Sequence, residues 1–317
     1  MIKTPTVFIL GAGASIPYGF PSGLLLREII CGASNINNEF HVTFREQFSL
    51  SEAEVIAFGN AFQKSQIASI DSFLARRSEF VEIGKFAIAS VLCPLEVSPP
   101  LYSPATQDNW YFELWNRLMT NVSNPQEFLS NNVNIITFNY DRSLEHFLFN
   151  AILNTFKGIS EQSALGLLNH LSILHVYGQL GKYGQSLSGD TRPYDSKINS
   201  LSLHVAAKGI KIIPEARDDD EVFTQTSALL NWAQRICFLG FGFDELNVQR
   251  LGINHVLNYK FDQGVSTHVV TSAHGKTNQE MQIAADITGA VKHTFIYWYP
   301  VYEKSLTTIR EHAMTLR

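Results

Sequence analysis

Short apolar runs alternate with amphipathic segments along the second half of the chain. The apolar runs are rich in residues typical of buried strands, and the segments between them carry apolar residues at helical spacing. The runs are Val133–Phe138, Ser172–Tyr177, Ile210–Ile213, Arg235–Gly240, Thr267–Thr271 and His293–Trp298. The helical segments are Leu144–Phe156, Asp220–Ala233, Asp244–Leu257, Gln279–Ile287 and Ser305–Met314. This alternation predicts βαβ units and a mostly parallel, doubly wound sheet of about six strands.

The N-terminal stretch adds one more strand and a glycine turn. Val7–Leu10 is a short apolar run, and Gly11 and Gly13 follow it directly. Ser22 then precedes the apolar segment Gly23–Ile30, so we expect Ser22 to cap a helix. A strand, a glycine turn and a helix in this order predict an anion site, in which free backbone N–H groups face a phosphate.

Residues 32–130 lack the strand and helix alternation and are predicted to be helical. The apolar residues between Asp71 and Phe86 form a helical stripe, which predicts a helix over Asp71–Ile83 with Asp71 as its cap. The proline-rich segment Cys93–Asn109 must break that helix, and Trp110–Met119 predicts a second one. We therefore expect one domain over 1–317, with a Rossmann-like α/β core at 1–31 and 131–317 and a helical insertion at 32–130.

Composition narrows the class of protein. Hydrophobic residues make up 45% and charged residues 17% of 317 residues, which is typical of a globular chain with a large core. The net charge of -5 gives no overall attraction to nucleic acid or to anionic membranes, so we expect neither as a partner. No signal peptide precedes the first strand, and no apolar run reaches the ~20 residues of a spanning helix, so we expect a cytoplasmic protein.

The three cysteines give no sign of a metal site. Cys31, Cys93 and Cys237 lie far apart, without the paired spacing of thiolate zinc ligands. No histidine pair supplies a substitute. We expect neither a structural zinc nor a disulfide framework.

Four of the predicted strand ends carry residues suited to binding or catalysis. These are Gly11–Ser15, Asn139 to Asp141, His175 with Gly178, and Gly240 to Gly242 with Asn247. Ligands of such sheets bind outside the carboxyl ends of the strands, where these groups converge. Each group also has a plain structural explanation. An Asn or Asp after a strand often caps a helix, and a glycine there can permit close packing.

The same strings resemble the sirtuin family across the core of the chain. Gly11-Ala-Gly-Ala-Ser-Ile-Pro-Tyr-Gly-Phe-Pro21 is similar to the first nucleotide-binding motif of sirtuins. Thr137-Phe-Asn-Tyr-Asp141 resembles the motif with paired Asn and Asp, and His175-Val-Tyr-Gly178 resembles the segment with the catalytic histidine. Leu239-Gly-Phe-Gly242 is similar to the later glycine motif. More narrowly, Thr-Phe-Asn-Tyr-Asp together with Leu-Gly-Phe-Gly-Phe resembles the sirtuin-like domains of bacterial anti-phage defence systems.

The chain also departs from sirtuin deacylases. Ser22-Gly-Leu stands where a deacylase has Asp-Phe-Arg, and Phe138 replaces the glutamine before the key Asn. The zinc-binding cysteine pairs that support a peptide cleft are absent from the sequence. Residues for nicotinamide are thus kept while features for acyl-lysine are lost, which favours water as the acceptor and hence NAD hydrolysis.

The resemblance implies a role for each site residue. Asp141 would hold the carboxamide of nicotinamide, Asn139 would orient water or a ribose hydroxyl, and His175 would be the base. The turn would hold the pyrophosphate. The implied NAD-binding residues are Gly11, Ala12, Gly13, Ser15, Pro21, Asn139, Asp141, Gly240, Gly242 and Asn247. NAD would be the substrate, and no metal would be needed.

Two other functions stay open at this stage. An NAD(P)-dependent oxidoreductase is disfavoured because Ile16 stands where the third fingerprint glycine would be. A non-catalytic sensor of NAD or ADP-ribose could use Asn139 and Asp141 without His175.

The resemblance also implies control and partners. An unrestrained NAD hydrolase would deplete its own cell, so we expect activation by another protein or by assembly into a homo-oligomer. A HerA-type hexameric ATPase or an Argonaute would be a partner typical of defence systems. Aromatic residues of the insertion, namely Phe73, Phe80, Trp110 and Trp115, could supply a self-complementary surface. Whether the product is linear or cyclic ADP-ribose stays open.

Overall fold

A six-stranded parallel sheet forms the centre of the protein. The computed structural model describes residues 1–32, 39–212, 221–290 and 294–312. Its main strands are β1 (Thr6–Leu10), β2 (Val133–Thr137), β3 (Ile173–His175), β6 (Arg235–Leu239), β7 (Thr267–Ser272) and β8 (Ile296–Val301). A separate pair is formed by β4 (Lys182–Tyr183) and β5 (Thr191–Arg192). The order β3-β2-β1-β6-β7-β8 confirms a Rossmann-like, doubly wound α/β fold.

Helices surround this sheet. Those between β1 and β2 are α1 (Gly23–Gly32), α2 (Glu39–Phe48), α3 (Glu52–Ser65), α4 (Ile70–Leu74), α5 (Val81–Leu92), α6 (Pro99–Tyr102), α7 (Trp110–Met119) and α8 (Pro125–Phe128). Those that follow β2 are α9 (Ser143–Thr155), α10 (Glu161–His170), α11 (Ser200–Gly209), α12 (Glu221–Trp232), α13 (Glu245–Leu251), α14 (Ile253–Asp262), α15 (Asn278–Thr288) and α16 (Ser305–His312). None of the helices in the described ranges is long and apolar enough to cross a membrane.

The strand ends are in register at the centre of the sheet. Leu10 pairs with Thr137 of β2 and with Leu239 of β6, and Thr137 pairs with His175 at the end of β3. All five residues of β1 are buried, as expected for a strand covered on both faces. The order of strands reverses at β1, so the crevice above its carboxyl end is the expected ligand site of this fold.

Several helices in the segment between β1 and β2 begin with a side-chain cap. The Ser22 hydroxyl accepts from the Leu25 N–H at 3.2 Å, as predicted for the start of α1. The prediction for α7 is confirmed at both ends. The prediction of one helix over Asp71–Ile83 is wrong, because α4 ends at Leu74 and a 3₁₀ turn precedes α5. Ser69, not Asp71, caps α4 and accepts from the Ser72 N–H.

Two further predictions are wrong, and two helices were missed. Residues 210–212 do not join the sheet; Ile210 forms an isolated antiparallel bridge with Gly178. The helix predicted over Asp244–Leu257 is two helices, since Gly252 adopts a φ of 62° between them. Helices α10 and α11 were not predicted. The predicted ends at Ile213, Asp220, His293 and Met314 lie outside the described residues.

Candidate active site

Two glycine turns pack against each other at the point where the strand order reverses. The Gly11 N–H donates to the Leu239 carbonyl, and the Gly13 N–H donates to the Gly240 carbonyl, both at 3.0 Å. Gly240 has a φ of +57°, and a Cβ on it would lie 2.0 Å from the backbone N of Ala14. Only glycine allows the two turns to approach this closely.

This packing corrects the prediction of a simple phosphate cradle. The turn winds into a short 3₁₀ helix, so the Ala14 N–H donates to the Gly11 carbonyl and the Ser15 N–H to the Ala12 carbonyl. With Gly11 and Gly13 also donating to backbone carbonyls, four of the expected N–H donors are already paired inside the protein. A phosphate here needs charge from elsewhere.

Asn139 ties the turn after β2 to the turn after β1. Its Nδ2 donates to the Gly11 carbonyl at 3.0 Å and to the Ser15 Oγ at 2.9 Å. The Ser15 hydroxyl in turn donates to Asp141 Oδ2 at 2.8 Å. Three predicted residues from two separate motifs therefore form one hydrogen-bonded chain.

Asp141 is buried and held on several sides. Its Oδ1 accepts from both the N–H and the hydroxyl of Ser143, and the Ser143 hydroxyl lies 2.7 Å from that of Tyr111. Burial raises the pKa of Asp141 above the usual range of a carboxyl, while the hydrogen bonds from Ser143 and Ser15 offset part of that rise. An ionised carboxylate has about four acceptor positions, so three donors leave room for about one more.

His175 is buried at the end of β3 with both ring nitrogens engaged. Nδ1 lies 2.9 Å from the Asn139 carbonyl, and Nε2 lies 2.6 Å from Glu145 Oε1. Burial alone would lower the pKa of His175, but the Glu145 carboxylate and the Asn139 carbonyl raise it overall. Because both facing oxygens are acceptors, this environment favours the imidazolium. In this geometry the ring supports the Asn139 backbone rather than offering a free nitrogen.

A buried ion cluster lies beneath the Asn139–Asp141 turn. Glu96 accepts from the backbone and guanidinium of Arg142, with Oε2 2.5 Å from Nη2, and it also pairs with Arg192. The side chains of all three are fully buried. Arg142 immediately follows Asp141, so the cluster fixes the turn to the segment between β1 and β2. Removal of one partner from such a cluster typically costs about 3–5 kcal/mol.

A small cavity, which we call cavity A, opens between these turns and the segment that precedes β2. Its volume is about 110 Å³. Five predicted NAD-binding residues line it, namely Ala12, Ser15, Pro21, Asn139 and Asp141. On the other side it is lined by Ser69, Ile70 and Asp71 of the α4 region. The structure therefore brings residues of four separate stretches around one space.

A larger cavity, cavity B, lies on the other side of the glycine turn. It has a volume of about 570 Å³, within the range of ligand sites. Gly13, Gly240 and Gly242 line it, and so do Lys276, after β7, and Lys304, after β8. Asp108 also lines cavity B, so two lysines and one carboxylate lie on its wall.

The remaining predicted residues fall outside these cavities. Gly11 lies beneath cavity A as the acceptor for Asn139. His175 lines neither cavity. Asn247 also lines neither, and its Oδ1 accepts from the Tyr177 hydroxyl at 2.6 Å. Gly242, by contrast, lines cavity B, and a Cβ on it would meet no atom within 4 Å, so close packing does not explain this glycine.

Sequence reasoning missed four polar residues of this region. Glu145 lies in the first turn of α9, where an acid is ordinary, and its contact with His175 depends on the fold. Asp71 was predicted as a helix cap. Lys276 and Lys304 follow β7 and β8, and their position at strand ends was the available signal.

Within the described ranges, no group of three or more His, Cys, Asp or Glu side chains is arranged to hold a metal ion. Comparisons with known proteins assign no family: no protein-family model matches the chain, and no curated protein matches it.

Proposed function

We propose that the protein is an NAD hydrolase, which cleaves the nicotinamide–ribose bond to give nicotinamide and ADP-ribose. One observation carries the proposal. Residues of the glycine turn, the Pro21 region and the Asn139–Asp141 turn, chosen from the sequence for this reaction, line a single cavity at the switch point of a doubly wound sheet.

The chemistry suits these side chains. Nicotinamide leaves as a neutral molecule, so the site needs no acid for it. It must grip the carboxamide, stabilise an oxocarbenium-like ribose and direct water. Asp141, with about one acceptor position left, would accept from the carboxamide. Asn139, fixed by Gly11 and Ser15, would contact the ribose or the water.

The two cavities suggest the orientation of the dinucleotide. The nicotinamide end would occupy cavity A and the adenosine end cavity B, on either side of the glycine turn. Because the turn's N–H groups are paired, the charge facing the pyrophosphate would come from Lys276 and Lys304. These two lysines would thus replace the usual phosphate cradle; Lys304 is exposed, and Lys276 is half-buried and pairs with Glu280 at 3.1 Å.

One observation favours a second function. Both nitrogens of His175 are engaged, which fits a sensor that binds NAD or ADP-ribose without turnover. In that case cavity A would bind the ligand through Asn139 and Asp141 alone.

Depletion of NAD in anti-phage defence would be the biological role, with activity gated by assembly or by a partner such as a HerA-type ATPase or an Argonaute. The aromatic surface expected for such contacts needs revision. Phe73 and Trp110 are fully buried, and the Trp110 indole donates to the Ala14 carbonyl at 2.8 Å. They pack inside the protein, which leaves the half-buried Phe80 and Trp115 as candidates.

The test is to incubate the purified chain with NAD over a series of protein concentrations and to quantify nicotinamide, ADP-ribose and reduced cofactor. The series is repeated with the product of a neighbouring gene. If the protein is an NAD hydrolase, nicotinamide and ADP-ribose should form in equimolar amounts. Formation of NADH would identify an oxidoreductase, and saturable binding of NAD without any product would identify the sensor.

A further inference from the structure

NAD hydrolysis needs a group that takes a proton from the attacking water, and His175 is poorly placed to be that group. It does not line cavity A, and its two nitrogens face the Asn139 carbonyl and Glu145. A base must lie within hydrogen-bond reach of the water, directly or through one bridging water. The residues that line cavity A are therefore the place to search.

Two of the described residues that line cavity A are carboxylates, Asp71 and Asp141. Asp141 already accepts from the Ser15 hydroxyl and twice from Ser143. Asp71 accepts from the Tyr140 hydroxyl on Oδ1, and its Oδ2 is 3.5 Å from the Ser69 hydroxyl. That second contact is at the limit of a hydrogen bond, so Oδ2 retains acceptor capacity.

We propose that Asp71 is the general base of the reaction, a catalytic residue supplied by the helical segment between β1 and β2. The inference rests on the proposed NAD hydrolysis. Water would transfer a proton to the Asp71 carboxylate while its oxygen bonds to C1′ of the ribose. The bond from C1′ to the nicotinamide nitrogen breaks, and its electron pair neutralises the pyridinium. Asp71 then releases its proton to solvent, so the sum is NAD⁺ and water giving nicotinamide, ADP-ribose and H⁺.

The surroundings of Asp71 fit this role. Burial raises the pKa of Asp71, and the hydrogen bonds from Tyr140 and Ser69 offset part of the rise. Asp244 at the start of α13 raises it further, and Tyr177 also lies in its electrostatic range. Asp141 is the other charged group on the cavity wall. A carboxylate with a raised pKa is a better proton acceptor near neutral pH.

A purely structural role must be distinguished, because the Tyr140–Asp71 hydrogen bond also joins α4 to the Asn139–Asp141 turn. Two variants separate the roles. Asp71→Asn keeps an oxygen that accepts from Tyr140 but cannot take a proton. Tyr140→Phe removes the hydrogen bond but keeps the carboxylate.

The experiment measures NAD turnover, ADP-ribose binding and thermal stability for the wild type, Asp71→Asn, Asp71→Ala and Tyr140→Phe. We expect both Asp71 variants to lose about 10²-fold or more in kcat. Asp71→Asn should bind ADP-ribose like the wild type, and Tyr140→Phe should keep at least a tenth of the activity. The rise of kcat/KM with pH through the pKa of Asp71 should be absent in Asp71→Asn.

One result would show that Asp71 has only a structural role and is not the general base. In that result Asp71→Asn turns over NAD nearly as fast as the wild type, and Tyr140→Phe is as impaired as Asp71→Ala. If the wild type and Asp71→Asn release nicotinamide at the same rate, Asp71 is not the general base, but the proposal of NAD hydrolysis is retained. If the wild type releases none under any condition, both are wrong.

Discussion

Cavity A and cavity B lie on opposite sides of the same glycine turn but are built differently. The side chains around cavity A hold one another: Asn139 contacts Gly11 and Ser15, and Ser15 contacts Asp141. Cavity B is about five times larger in volume, at about 570 Å³ against about 110 Å³. Its cations lie on loops, and Lys304 is exposed.

This difference gives the two cavities different roles: cavity A would position the reacting groups, and cavity B would attract the anionic part of the ligand. Buried hydrogen-bonded groups keep a fixed geometry, which is what a transition state requires. Exposed lysines attract an anion over a distance but fix it weakly, and salt screens them. We therefore expect changes at cavity A to act on kcat and changes at cavity B to act on KM.

The largest expected effect is that of Asn139→Ala. Removal of a fixed polar group that acts on the transition state typically costs about 10²–10³-fold in kcat. Asn139 is only half-buried, so the fold should persist, with an unchanged circular dichroism spectrum. The matched control is Asn247→Ala, since Asn247 lines neither cavity and should keep turnover within a few-fold. Equal turnover by the Asn139→Ala and Asn247→Ala variants would show that Asn139 does not act in the reaction.

The contact between the two glycine turns can be broken directly with Gly240→Ala. The new Cβ would meet the Ala14 backbone at 2.0 Å, and the φ of +57° disfavours any L side chain. Left-handed strain and overpacking together predict a loss of about 2–5 kcal/mol in the free energy of unfolding. Gly242→Ala is the control, because open space surrounds it, and it should change stability by about 0.5 kcal/mol or less. Urea titration measures both; equal stabilities would refute the close approach.

The pair of His175 and Glu145 predicts a pH-dependent stability. Because the folded pKa of His175 is raised, its contribution is fully present below the unfolded pKa of about 6.5 and is lost as pH rises through the folded value. Glu145→Gln should remove this dependence, so the Tm difference from the wild type should be largest at acid pH and shrink toward alkaline pH. A Tm difference that grows as pH rises would contradict the charged pair.

The smallest effect is expected at cavity B. Lys304→Ala should raise KM for NAD by about 3–10-fold and leave kcat nearly unchanged, because an exposed charge contributes about 1 kcal/mol. Lys276→Ala should act in the same direction but more weakly, because Lys276 already pairs with Glu280. The effect should fade in high salt. Lys157→Ala removes an exposed lysine elsewhere and should change neither constant. A loss of kcat in the Lys276 or Lys304 variants would contradict the assignment of kcat effects to cavity A and KM effects to cavity B.

The sequence predicts the sheet well because strand identity depends on local apolar runs. The segment Trp110–Met119 was predicted with correct ends, since the Asn109 cap is local. Failures occur where tertiary context decides. The apolar stripe continues through the three residues between α4 and the following 3₁₀ turn, although the helix ends there. In the same way, Gly252 ends α13 although the helical pattern of the sequence continues.

The site was predictable only in part for the same reason. Asn139, Asp141 and Ser15 follow strands, so their meeting follows from topology. Glu145 and Asp71 lie on helices whose packing no short pattern encodes, and they meet His175 and Tyr140 across 30 and 69 residues of chain. The pairing of the N–H groups in the glycine turn could not be predicted either, because the Gly13 N–H donates to the carbonyl of Gly240, which is far away in the sequence.

The most direct test of the account is a crystal structure of Asn139→Ala with NAD bound, since slow turnover should preserve the dinucleotide. We predict the nicotinamide in cavity A with its carboxamide at Asp141, the attacked face of the ribose toward Asp71, and the adenosine in cavity B near Lys304. Nicotinamide in cavity B, or NAD bound away from the glycine turn, would contradict the account.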